Sequence, residues 1–458
     1  MSSDSHRGSG SPNTGTSQIQ ILGGGPAGLG AAWFARQNAL PFRLYEASNE
    51  VGGNCRTLRT GPFLYDTGAH RLHDKDPDVT ALIRELLRQD LLPVGSPSAI
   101  LHRDRFVDFP LHLSGLLRAL SPRELIRITS GYLARNSGEA SDQQNPSFQD
   151  QAIRAYGRQL AEMFLLNYSK KLWGMAPEHL SPQISGGRLK GLNFASFLRT
   201  TFTGNDRGRE NIDGRFYYPR YGIGMIADAL AEGIGMENIQ RGTRITALPH
   251  DGNRITGIEL NGAETIPAGT VVSTLPLTVV LRSLRPAPPD HILEIAGRLK
   301  FRNLLLLAFG IRRDALTNNA SIYIPDASEP FTRLYESKNR SPFMAPEGMT
   351  SVVLELPCQQ EDPLWNADPE ELKQRGADFL RRKFAVDPAK EIEVFALHRI
   401  PFAYPVLETG FEETSRSMTE YLKRFSNLLL TGRSALFRYT HIHDLLKAGK
   451  ETIRSITG

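Results

Sequence analysis

Cysteine is nearly absent from this chain of 458 residues: Cys55 and Cys358 are its only thiols. Two cysteines cannot build a disulfide framework, and such scarcity suits a reducing compartment, so the expected location is the cytoplasm. Long apolar runs are also missing. No stretch approaches the ~18 consecutive apolar residues that cross a bilayer, and the longest candidate, Leu304 to Ile311, reads as a buried strand. The first seventeen residues, MSSDSHRGSGSPNTGTS, hold almost no large apolar side chain. They lack the apolar core of a secretory signal and read as a disordered tail. Basic residues are not interleaved with an aromatic stacking array, which argues against nucleic acid as a partner. No nucleophile stands in a pattern with its own general base, so a hydrolase has nothing to rest on. No metal-ligand set is singled out.

What is present describes an ordinary globular protein, 40 % hydrophobic and 22 % charged. The length exceeds one compact core and suits two or three domains. The net charge of +5 is concentrated, because residues 150 to 220 carry eleven Lys and Arg against six Asp and Glu. That surplus reads either as a solvated basic helical face or as a site for an anionic substrate, a phosphate or a carboxylate.

The most informative stretch is IQILGGGPAGLGAAWFARQNALPFRLYEASNEVGGNCRT, residues 19 to 57. An apolar strand enters Gly23-x-Gly25-x-x-Gly28, a helix follows, and a second strand, Phe42 to Tyr45, ends at Glu46, eighteen residues after Gly28. Gly23 suits a tight turn, Gly25 a close approach to a pyrophosphate, and Gly28 close helix–strand packing. The helix N-terminus, opening at Pro26 and Ala27, would face the phosphates, and Glu46 would accept from a ribose hydroxyl. Beyond it, Gly52-Gly53 lets backbone crowd a ligand, and Arg56 offers a charge-assisted donor to a pyrophosphate. Cys55 in this loop reads as a small buried filler or as a reactive thiol. Far downstream, Leu430-Thr431-Gly432-Arg433 ends another strand at a glycine.

Residues 78 to 210 read as mostly helical, with a helix start at Ser121-Pro122-x-Glu124 and a polar loop at 137 to 147. Strands return at GTRITAL, RITGIEL and GTVVSTLP, and again at LKFRNLLLLAFGI, ASIYIP, TSVVLELP and KEIEVFALHRI. An amphipathic helix, HIHDLLKAGKETIRSI, closes the chain. The order suggests a discontinuous nucleotide-binding domain from 18–77, 216–285 and 401–458. Residues 78–215 would form a helical insert on the substrate side, and 286–400 a strand-rich substrate domain.

Taken together, GGGPAGLGAA, YEASNEVGGNCRT, YDTGAHRLH, FVDFPL, NYSKKLWGMAPEHLS, YYPRYGIGMIADALAEGI, VVSTLP, LKFRN, PFAYPV and LTGRSALFRYTHIHD resemble a known superfamily. It is that of the FAD-dependent amine oxidases and protoporphyrinogen oxidases, on the branch that shades into UDP-galactopyranose mutase. The likeness covers nearly all of the chain after residue 18. It implies an α/β protein, α+β overall, with a Rossmann-like FAD-binding domain and FAD as cofactor. Cofactor contacts would come from Gly23, Gly25, Pro26, Ala27, Gly28, Glu46, Ala47, Gly52, Gly53, Asn54, Arg56, Thr57, Gly68, Ala69, His70, Gly432, Arg433 and Tyr439. Arg244 and Ile245 stand where the family's backbone meets the adenine.

Two reactions follow from the resemblance. One is two-electron oxidation of a small or medium, anionic organic substrate. The other is mutase chemistry, in which reduced flavin attacks a sugar anomeric carbon through N5 with no net redox change. His70 would lie beside the flavin, Trp173 near a nucleotide, and Arg302 on a substrate pyrophosphate. Tyr404 would line the substrate, Tyr439 would meet its phosphate, and His441 would complete the catalytic set with His70, Arg302 and Tyr439. Each has a plainer reading, Trp173 as core and His70 as a satisfied loop histidine. The mutase pattern carries an acid where His441 stands, and GRFYYPRYG and VVSTLPLTVVLRSL have the oxidase-like form. The expected reaction is therefore the oxidation, with a sugar nucleotide or a carboxylate as substrate and the mutase as the alternative.

Overall fold

A computed structural model describes residues 18–109, 113–134, 146–185 and 215–458. A five-stranded parallel sheet has the order Leu428–Leu430, Thr270–Ser273, Ile19–Leu22, Phe42–Tyr45, Ile239–Gln240. Its strands come from three distant parts of the chain. The segment Ile19–Leu22 is buried on both faces, as a central parallel strand must be. Helix α1 (Pro26–Gln37) covers one face, buried through Ala27, Leu29, Ala31, Ala32 and Ala35.

The second large sheet has seven strands in the order Ile392–Pro405, Phe301–Ile311, Thr350–Cys358, Arg333–Glu336, Ser321–Tyr323, Ser98–His102, Arg105–Phe109. The apolar run expected as a buried strand forms its second member, buried from Arg302 to Ile311. Alternation explains why no polar residue interrupts that run. Leu305, Leu307, Phe309 and Ile311 pack on Leu372, Phe379 and Leu380 beneath the sheet. Leu304, Leu306 and Ala308 face Tyr65, Tyr335 and Ala403 above it.

The expected helix start at Ser121 is there: Glu124 N donates to Ser121 Oγ at 3.4 Å and Ser121 N to Glu124 Oε2 at 2.8 Å. The helical reading of 78 to 210 needs correction between residues 88 and 109. The helix Pro77–Leu87 stops, and three strands follow, Leu91–Gly95, Ser98–His102 and Arg105–Phe109. Leu91–Gly95 pairs with Arg215–Pro219 and Ser98–His102 with Ser321–Tyr323, both more than a hundred residues downstream. Arg105–Phe109 pairs only with Ser98–His102, in a local hairpin whose turn, Arg103-Asp104, lacks the glycine that usually marks one. The tail 1–17, most of the polar loop at 137 to 147, and residues 186–214 of the basic stretch lie outside the described residues. Among the described residues no helix is long and apolar enough to cross a membrane.

Candidate dinucleotide and substrate site

The strand Ile19–Leu22 leads into Gly23, whose φ of +105° is a glycine conformation. A Cβ on Gly28 would lie 1.9 Å from Gly23 O, so only glycine lets α1 begin this close to the turn. Gly25 is the N-cap of α1, supplies no side-chain cap, and is followed by Pro26 at the first helical position. The first N–H groups of the helix are thus left for an outside acceptor. Gly53 faces Gly25 backbone to backbone: a Cβ on Gly53 would sit 3.2 Å from Gly25 Cα.

Glu46 stands at the end of the next strand with both oxygens held. Gly24 N donates to Oε2 at 2.7 Å and Ser48 N to Oε1 at 2.8 Å. Ser48 Oγ also donates to Oε1 at 3.0 Å, so Oε2 is the oxygen that keeps a lone pair for a hydroxyl, and Ala47 beside it is exposed. Arg56 Nε donates to Gly53 O at 3.1 Å, laying the guanidinium along the glycine loop. Gly432, with φ +94°, closes on the first turn of α1, where a Cβ would be 2.9 Å from Ala27 Cβ. Backbone crowding without side chains, an uncapped helix start and a fixed carboxylate are what a dinucleotide needs.

Two of the expected contact residues also bond within the protein. Arg244 N donates to Asn261 Oδ1 at 2.8 Å, and its carbonyl accepts from Asn261 N at 2.8 Å, so its backbone is occupied. Ile245 follows it and opens the strand Ile245–Pro249, in register with Leu260. Thr57 Oγ1 donates to Asp66 Oδ1 at 2.8 Å and accepts from Gly224 N at 2.9 Å, which makes it a strut behind the cradle.

Trp173 ends helix α2 (Asn167–Trp173) and is buried. Its ring lies edge-on to Tyr404 at 5.8 Å and to Tyr439 at 6.1 Å. The two tyrosines stack at 6.5 Å and 29°. Arg433 lies over both, 5.1 Å from Tyr404 and 4.7 Å from Tyr439. Its Nη2 donates to Ala403 O at 3.0 Å, while its Nε is buried without a partner. His441 sits edge-on to Tyr439 at 5.7 Å and opens helix α3 (Ile442–Thr457), its N–H donating to Asp444 Oδ2 at 2.9 Å. Three separate segments therefore converge on one aromatic and cationic wall. Burial pushes the Tyr404 phenol above its ordinary value, so it stays a neutral hydroxyl.

His70 follows Gly68 and Ala69 on the loop after Asp66. The residue as a whole is half-buried, yet Nε2 is closed to solvent and has no partner. Burial first, and then the charge of Arg340, hold its pKa down to about 3, so the ring is neutral. Burial pushes the Cys55 thiol up to about 12, which removes the reactive-thiolate reading.

Arg302 is buried and held largely by backbone carbonyls. Its Nε donates to Leu172 O at 3.1 Å, and its Nη2 to Lys171 O at 3.3 Å and Pro357 O at 3.1 Å. It caps the C-terminus of α2 and ties that helix to the seven-stranded sheet. Lys171 is spent likewise on three carbonyls, Ile324, Asp326 and Phe331, at 2.7 to 2.8 Å. Asn54 Nδ2 donates to Phe402 O at 3.4 Å, joining the glycine loop to the sheet.

Sequence reasoning missed Arg333 and Glu355, a bidentate pair at 2.9 and 2.7 Å whose charges act on Tyr404. They pair across neighbouring strands twenty-two residues apart, and only strand register could have linked them. It also missed Arg340, whose charge acts on His70 from the segment after the strand Arg333–Glu336.

The model of the flavin-containing amine oxidoreductases matches residues 26–455. The chain is 20 % identical to coproporphyrinogen III oxidase of Bacillus subtilis, over 96 % of this chain and 97 % of that protein. A match to dTDP-fucopyranose mutase of Escherichia coli, 23 % identical over 174 residues, spans 36 % of this chain and only 44 % of that relative. The crystal structure of reduced UDP-galactopyranose mutase superposes with a TM-score of 0.85 at 20 % identity, covering 97 % of this chain and 96 % of that one. At that identity the likeness describes the fold.

Proposed function

The chain belongs to the flavin-containing amine oxidoreductase family and is an FAD-dependent enzyme, and from that premise we propose that it oxidises an anionic organic substrate by two electrons. Bound FAD supplies the two-electron acceptor. The chain's own residues bind and orient. The turn Gly23 to Gly28 and the start of α1 take the pyrophosphate, Glu46 the ribose, Ile245 the adenine, and Arg56 the flank of the phosphates. Gly53 and Gly432 leave the backbone room this requires.

Arg433, Tyr404 and Tyr439 hold the substrate. The observation that carries this reading is the buried, unpartnered Nε of Arg433 between two tyrosine rings. An unpaired buried donor on a charged group costs upward of roughly 1–3 kcal/mol, and a carboxylate or phosphate would remove that cost. Trp173 backs the wall and excludes water. Neutral His70 offers one ring nitrogen to the reacting region without adding charge. The domain division into 18–77, 216–285 and 401–458 against 78–215 and 286–400 would place this wall at the seam.

The mutase reading keeps one specific support, the close superposition on UDP-galactopyranose mutase. Against it, Arg302 is committed to α2, and His441 stands as the N-cap of α3. The two separate in one assay of FAD-loaded protein with carboxylates, tetrapyrroles and sugar nucleotides. Oxidation consumes an acceptor, with peroxide release if that acceptor is oxygen. Turnover only after dithionite reduction, without electron consumption, would establish the mutase instead.

A further inference from the structure

Arg340 is 2 % exposed, yet its Nε and Nη1 have no hydrogen-bond partner. Only Nη2 is satisfied, donating to Ala320 O at 3.1 Å and Ser321 Oγ at 3.0 Å. A buried guanidinium with idle donors is costly, so packing alone does not account for an arginine here. The guanidinium lies 4.9 Å from the ring centre of Tyr335 and 5.9 Å from that of Tyr218. Those two tyrosines hold Asp66, which is fully buried. Tyr335 Oη donates to Asp66 O at 2.5 Å, and Tyr218 Oη to Asp66 Oδ2 at 2.5 Å. Thr57 Oγ1 and Ile223 N donate to Oδ1 at 2.8 and 3.0 Å. Asp66 in turn begins the loop Thr67-Gly68-Ala69-His70.

We propose that Arg340 is a positioning residue: through Tyr335 and Tyr218 it braces Asp66, and its fixed charge sets the field in which the Gly68–His70 loop meets the flavin. The inference rests on the reading that this loop faces the cofactor. Asp66 is a buried carboxylate with three donors and no direct cation, and Arg340 is the cation whose charge acts on it. From the other side, Arg340 leads Arg333 and Arg433 among the charges acting on His70, while Asn54 contributes a backbone hydrogen bond. A water-excluded cation beside a flavin favours its anionic reduced form, because in a low dielectric such a charge is poorly screened.

The test compares Arg340→Lys and Arg340→Met in FAD-loaded protein, by the midpoint potential of the flavin and by NMR titration of the His70 ring. Arg340→Met should lower the potential and move the His70 titration up toward the ordinary histidine range of about 6.5. Arg340→Lys, which keeps the charge and loses the planar stacking, should stay near the parent in both. Parent-like values in Arg340→Met, or equal shifts in Lys and Met, would overturn the proposal. If Arg340→Met does not hold FAD, the Lys variant decides: retained FAD and an unmoved His70 titration support the charge role, and loss of either overturns it. His70→Asn in the parent checks the underlying reading separately. An unchanged flavin spectrum and potential there would sink that reading, while the His70 titration would still judge the brace.

Discussion

Gly53 works by having nothing beyond its Cα. Alanine at its φ of +54° costs about 1–2 kcal/mol of backbone strain, and its Cβ would press 3.2 Å from Gly25 Cα where a pyrophosphate must pass. Gly53→Ala should therefore purify as a folded protein depleted of FAD, read from the flavin-to-protein absorbance ratio. Glu46→Ala should weaken FAD retention in the same assay, and normal retention would count against the ribose assignment. Arg302 behaves differently. Arg302→Met leaves carbonyls of Lys171, Leu172 and Pro357 unpaired inside the protein, a loss of about 2–4 kcal/mol measured by denaturant unfolding. FAD content in that variant should hold. His441→Ala should lower turnover with FAD content unchanged, since its ring meets Tyr439 while its N–H, which alanine keeps, donates to Asp444 Oδ2. At this scale the sequence exposed Glu46 and the glycines, whose spacing is local. It concealed the fate of Arg302, decided by a helix end 130 residues earlier in the chain.

Among the described helices, α1 and α3 make the most extensive contact. A Cβ on Gly449 would lie 2.6 Å from Ala31 N, and one on Gly30 3.2 Å from Leu446 Cα. The first and last helices thus cross at paired glycines, which brings Gly432 and Arg433 back against the turn at Gly23. Gly449→Val should force the helices apart, lowering both the thermal midpoint and FAD retention, whereas a surface change such as Gly348→Ala, with open space around it, should spare FAD. Both helices and the long strand Phe301–Ile311 were legible, because period and apolar content act within one segment. The strand Leu91–Gly95 was not, because it exists by pairing with a distant strand, and the hairpin at residues 98–109 was not, because its turn Arg103-Asp104 carries no glycine.

For the whole molecule, the site is a seam between sheets, and its charge makes stability depend on pH. An unfolded histidine takes a proton near ~6.5, while native His70 resists until about 3. Native protein then binds fewer protons than unfolded protein, so stability falls as pH drops from ~6.5 toward 3. Asp444 beside His443, and Glu391 held by Arg313, titrate near about 2. Their stabilisation is present above the ordinary carboxylate range and is lost as pH falls through 2. His70→Asn should flatten the decline between roughly pH 6 and 4, seen in urea midpoints, and leave the steeper loss at lower pH. The cofactor was readable at this scale from residues 19 to 57 together with the C-terminal strand. The proposed substrate wall was only partly readable, since Trp173, Tyr404, Arg433 and Tyr439 meet through the fold. The most direct measurement of the central claim is anaerobic mixing of oxidised, FAD-loaded protein with a panel of anionic substrates while flavin absorbance is followed. The account predicts bleaching by one member, matched mole for mole by oxidised product and abolished in Arg433→Met with FAD retained. An unbleached flavin, with catalysis only after prior reduction and no electrons consumed, would contradict it.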